Sequence, residues 1–245
     1  MKSSLSRRLV AEFVGTGFLV AAVVGSGIMA ERLANGNVAL ALLANTIATG
    51  AALVALILTF GPISGAHFNP AVTLADAMEG GLSWSQGSAY VIVQILGGVA
   101  GTVTAHLMFG LPAVSISRHI RSGGSQLLSE FVATFGLLCV IWGCSRLRSS
   151  VVPFAVGAYI TAAYWFTASA SFANPAVTIA RSFSDTFAGI RPGDVPLFVL
   201  AQVFGAFAAT LLFRWLVPNL TRDAKNVIVA PYAGMNSAPA ESVLR

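Results

Sequence analysis

Charge is scarce in this sequence. Asp, Glu, Lys and Arg make up only 9% of its 245 residues, against about 25% in a soluble domain. With 56% of residues apolar, so few charges cannot clothe a folded domain in water, and the chain reads as an integral membrane protein. Its small basic excess, net +5, is spread over loops and termini. It forms no basic face, so a nucleic-acid partner is not expected, and topology signals beside a lipid bilayer explain it better.

Cysteine and histidine are nearly absent too. Cys139 and Cys144 are the only cysteines, and a spacing of five on one helix sets them roughly 140° apart around the axis. That disfavours a bond between them, and both read as small packing residues. His67, His106 and His119 are scattered, with no second ligand at metal spacing. No nucleophile–base pair stands beside them. Neither an enzyme nor a metal or cofactor site is expected.

What the chain does have is long apolar runs. Six lie near residues 9–30, 38–60, 86–109, 128–145, 151–170 and 195–217, each close to the length a bilayer-crossing helix needs. The first follows Arg7 and Arg8 and imitates a signal peptide. It is longer than such a segment and more spans follow, so it reads as a retained span.

Two shorter segments interrupt this series, and both begin with Asn-Pro-Ala-Val-Thr, at Asn69–Thr73 and Asn174–Thr178. Asn is a strong helix cap, and Pro suits the first helical position because its missing N–H is unpaired there anyway. Asn69-Pro70-Ala71 and Asn174-Pro175-Ala176 therefore read as helix starts inside apolar sequence. Neither segment is long enough to span, and both fit re-entrant half-helices.

The doubling goes further. Glu12-Phe13-Val14-Gly15-Thr16 matches Glu130-Phe131-Val132-Ala133-Thr134, and Gln94-x-x-Gly97 matches Gln202-x-x-Gly205. The same order of motifs in both halves marks a duplication, about 9–109 and 126–218. Three spans per copy is odd, so the copies are inverted in the membrane. The half-helices then meet N-terminus to N-terminus near the midplane, an electropositive place hostile to cations and protons. Asn69 and Asn174 cap those tips through their oxygens, leaving amide N–H groups to donate into a pore. Glu12 and Glu130 are the only acids well inside spans and are expected to face the interior with partners.

Counting Lys and Arg near the span ends gives nine on the side of the N-terminus and five on the other, which places both termini in the cytoplasm. Residues 1–8 precede the membrane domain, 9–218 form it, and 219–245, rich in Ala, Ser, Asn and Pro, are expected to be an unpacked cytoplasmic tail. Gly97-x-x-x-Gly101 and Gly205-x-x-x-Ala209 read as seams for close helix crossing.

On these motifs, Ser64-Gly65-Ala66-His67-Phe68-Asn69-Pro70-Ala71-Val72-Thr73 above all, the chain resembles the aquaporin/aquaglyceroporin (major intrinsic protein) family from Arg8 to Pro218. The resemblance implies an all-α membrane fold, a right-handed bundle of six transmembrane helices plus two re-entrant half-helices. It also implies one pore per subunit, a homotetramer, and Glu12, Glu130 and His67 as supports of the re-entrant loops. Counting from the asparagines carries the family's four filter positions to Thr49, Ala162, Ser171 and Val177. The last usually holds Arg. Its absence predicts a wide filter with no ring and no charge, similar to a bacterial branch associated with arsenic resistance. Arg181, one turn on, either lends charge to the outer vestibule or pairs with Asp185, the reading preferred here.

The expectation is a passive inner-membrane channel for small neutral solutes, foremost neutral metalloid acids such as arsenite, with a broad glycerol/water facilitator as the alternative. A secondary active transporter also uses inverted repeats and broken helices, and uphill accumulation would distinguish it.

Overall fold

The computed structural model describes residues 3–147 and 149–217; the expected tail over 219–245 lies outside the described residues. Eight α-helices carry this part of the chain: α1 Leu5–Leu33, α2 Val38–Ser64, α3 Pro70–Met78, α4 Trp84–Met108, α5 Gly124–Leu147, α6 Val152–Phe166, α7 Pro175–Arg181 and α8 Val195–Leu216. All but α3 and α7 belong to segments long and apolar enough to cross a bilayer. Helices α3 and α7, with nine and seven residues, reach at most about 14 Å, half the hydrocarbon thickness.

Local chemistry sets the boundaries. Asn37 caps α2 by accepting from Leu40 N at 3.1 Å, and Ser83 caps α4 by accepting from Gln86 N at 3.3 Å. Pro62 weakens the last turn of α2, and Gly65, at φ 90°, closes it in the left-handed conformation that glycine adopts without penalty. The chain then turns through Ala66 and Phe68, both at φ 49°, into Asn69.

The packing repeats the sequence duplication. Helix α1 lies along α4, as α5 lies along α8, and α2 joins the two halves by packing on α6. Small residues allow the close crossings: a Cβ on Gly97 would stand 2.3 Å from the Phe13 carbonyl oxygen, and one on Gly205 2.5 Å from that of Phe131. The predicted seams lie in these contacts. Large side chains such as Phe18, Ile47, Ile92, Phe204 and Trp215 stay exposed, an apolar outer face suited to lipid. With three crossings per repeat, α3 and α7 enter from opposite faces and their N-termini meet at the centre.

Candidate functional site

Each re-entrant loop is held by a buried glutamate. Glu12 on α1, fully buried, accepts from His67 N at 3.0 Å, Phe68 N at 2.7 Å, Ser64 Oγ at 2.6 Å and Gln94 Nε2 at 2.9 Å. Glu130 on α5 repeats this, accepting from Phe172 N and Ala173 N at 2.9 Å each and from Gln202 Nε2 at 2.6 Å. Gln94 and Gln202 also donate to Thr73 and Thr178, at 2.9 and 2.8 Å, which ties each glutamate to its own half-helix. These glutamines and threonines stand in the sequence repeat, yet only the structure shows their part. His67 is buried in the first loop, with Nδ1 at 3.0 Å from Thr73 Oγ1.

Holding the backbone N–H groups on the glutamates turns the carbonyls the other way. Ala66 and Phe68 in the first loop, and Ser171 and Ala173 in the second, all have φ between 47° and 49°. These are the third and first residues before each asparagine. Left-handed backbone at four non-glycine positions is costly, and such strain collects at functional sites.

The asparagines stitch the halves together. Asn69 Oδ1 accepts from Ala71 N at 2.9 Å, and Asn174 Oδ1 from Ala176 N at 3.0 Å and Val177 N at 3.2 Å. Their amides cross over: Asn69 Nδ2 donates to Ala173 O at 2.8 Å, and Asn174 Nδ2 to Phe68 O at 2.7 Å. The amide groups are thus not wholly free, as the sequence suggested. One N–H of each fixes the opposite loop, and both asparagines still line the central cavity.

That cavity holds about 60 Å³, room for a few water-sized groups. One wall is aliphatic, with Leu53 and Ile57 from α2, Leu137 from α5 and Val156 and Ile160 from α6; the other presents the two loops with Asn69 and Asn174. Thr49, Ser171 and Val177 line it. Ala162 does not, which corrects the filter assignment: it is exposed on the outer side of α6. Tyr164, two residues on, faces inward instead, its hydroxyl 3.2 Å from Thr49 Oγ1. Two positions along a helix is about 200° of rotation, enough to exchange the wall for the outside.

The expectation of no ring and no charge also fails. Arg181 lines the cavity and is buried, its guanidinium 3.4 Å from the centre of the Phe172 ring. Its Nε donates to Ala188 O. No ion pair joins it to Asp185 among the described residues, because Asp185 turns away to accept from Arg118 N at 2.8 Å. On the same face Arg121 stands 5.0 Å from the Phe172 ring and donates to Gly189 O at 2.8 Å. Burial holds its guanidinium below the ordinary arginine range, partly offset by the charge of Glu130. His106 bridges Pro112 O and Ser184 Oγ at 2.8 Å each and joins the two loops of that face.

Comparison with known proteins gives the same picture. The family model described as major intrinsic protein matches residues 1–171 and 144–243. The chain is 60% identical over 213 residues to aquaglyceroporin AqpS of Rhizobium meliloti, covering 87% of this chain and 91% of that one. It is 31% identical over 211 residues to Nodulin-26 of Glycine max, covering 85% and 77%. The aquaglyceroporin from Plasmodium falciparum superposes with a TM-score of 0.71 at 20% identity, over 89% of this chain and 99% of that one. At that identity the likeness speaks for the fold.

Proposed function

The chain belongs to the major intrinsic protein family, and we propose that it is a passive channel whose foremost solutes are neutral metalloid acids such as arsenious acid, with glycerol close behind. The observation that carries this reading is Val177. It lines the cavity at the position directly after the second Asn-Pro-Ala, where the family usually carries Arg. An aliphatic side chain there leaves room beside Thr49 and Ser171 for a solute broader than water. The two walls suit such a solute. Hydroxyl groups exchange hydrogen bonds with loop carbonyls and asparagine amides, while the aliphatic side offers no partner and no trap.

In this reading Asn69, Pro70, Ala71, Asn174, Pro175 and Ala176 build the midpoint, Thr49, Ser171, Val177 and Tyr164 form the filter, and Glu12, Glu130 and His67 support the loops. The channel sits in the bacterial plasma membrane as a homotetramer with both termini cytoplasmic. Chemical cross-linking of the membrane-embedded protein, read by mass, is expected to give four subunits; a monomer throughout would remove that part.

Flux into proteoliposomes tests the solute reading. Wild type is expected to pass glycerol and arsenious acid, and Val177→Arg to lose at least about tenfold of that flux while keeping most of its water flux. A wild type that passes water and excludes both larger solutes would refute it.

A further inference from the structure

Position 177 lacks its guanidinium, yet the pore does not lack one. Arg181 is rooted one turn further along α7, buried to 3% exposure, and it lines the same cavity as Thr49, Tyr164, Ser171 and Val177. Two contacts fix its plane: the face of Phe172 at 3.4 Å, and the Ala188 carbonyl that accepts from Nε. Its two Nη nitrogens make no hydrogen bond among the described residues, and they are not among the sealed, unpaired polar atoms. They therefore open onto the cavity. Ser171, which lines the same cavity, has its Oγ buried without a partner among the described residues.

Among the described residues no carboxylate forms an ion pair with Arg181, although the charge of Glu130 reaches it. Glu130, an acid close enough to be felt, spends both oxygens on Phe172 N, Ala173 N and Gln202. Asp185 is engaged by Arg118 N, and Asp194 by Arg191 and Arg121 N. Arg121, on Phe172 as well, adds a like charge behind it. A fixed cation with no ion-pair partner among the described residues, on a narrow path with low-dielectric walls, repels other cations.

We infer that Arg181 is the specificity-determining cation of this pore, excluding protons and metal cations from a site one helical turn beyond Val177. The inference rests on the channel reading above. A valine at 177 then widens the path for neutral solutes without opening it to ions, because size selection and charge selection sit on different residues.

The test uses the full chain in proteoliposomes, with potassium and proton leak measured beside glycerol and water flux. Arg181→Gln is expected to raise cation leak by about tenfold or more, and Val177→Arg added to it is expected to bring the leak back down. Non-zero glycerol flux certifies a folded pore in each variant. A conducting Arg181→Gln channel as tight to cations as wild type would overturn the inference. Should the Gln variant pass nothing, Arg181→Lys decides: a conducting, cation-tight Lys channel supports a role for the charge, whereas a dead or leaky one assigns Arg181 to packing. A wild type without solute flux would sink the channel reading instead, and the two failures are thereby distinct.

Discussion

Glu130→Leu is expected to destroy the channel, and it does so without touching any atom that faces the cavity. The side chain is fully buried, and its two oxygens take three donors: Phe172 N, Ala173 N and Gln202 Nε2. Leucine fills much of the space but accepts nothing. Two backbone N–H groups and one amide are then stranded at a fully buried position within a span, at about 1–3 kcal/mol each. The sum, roughly 3–9 kcal/mol, rivals the net stability of a typical domain. The loop would give up the left-handed turns at Ser171 and Ala173, and its carbonyls would leave the pore. Thermal melting in detergent and glycerol flux both read this. Glu130→Gln keeps one acceptor and is expected to fall between wild type and Leu. A Leu variant that melts and conducts like wild type would show the loop to be held by something else.

Gly101→Val is the second large effect, and its cause is steric. A Cβ at this position would lie 2.2 Å from the Gly17 carbonyl oxygen and 3.1 Å from Ala21 N. Both are backbone, so no side chain can swing aside, and α1 and α4 must part. Parting them also drags Glu12 from the first loop and Gln94 from Glu12, whose 2.9 Å bond spans the two helices. Overpacking of this kind costs about 3 kcal/mol or more. Gly143→Val on α5, where the added atom meets only the Phe213 ring at 3.7 Å, is the matched control and is expected to melt near wild type. Equal melting of the two variants would show that the close crossing is dispensable.

Several elements were legible in the chain because they depend on local chemistry repeated twice. Asn-Pro-Ala names its own helix start. The paired Glu and Gln motifs announce equivalent places in two copies, and small residues four apart mark a close crossing. The errors came where side-chain direction depends on something distant. Ala162 was reached by counting back from Asn174, which assumes that α6 and the loop after it keep the family's length and phase. Helix α6 ends at Phe166 with Tyr164 turned inward, and the count lands on the wrong side. For Arg181 the i, i+4 spacing to Asp185 assumed that the helix continues. It stops at Arg181 itself, so the two residues never share a face. What draws the arginine inward is the Ala188 carbonyl and the Phe172 ring, and no periodicity points to either.

The crossed asparagine bonds bear on how this protein is made. Asn69 donates to a carbonyl 104 residues further along, and Asn174 reaches back 106. A ribosome adding about 5–20 residues per second needs roughly 5–20 s to cover that distance. Through that interval the first loop can have its Glu12 and Thr73 contacts but lacks the opposite loop to cross-bond with. The second half thus supplies the partners that complete the first loop's hydrogen bonding.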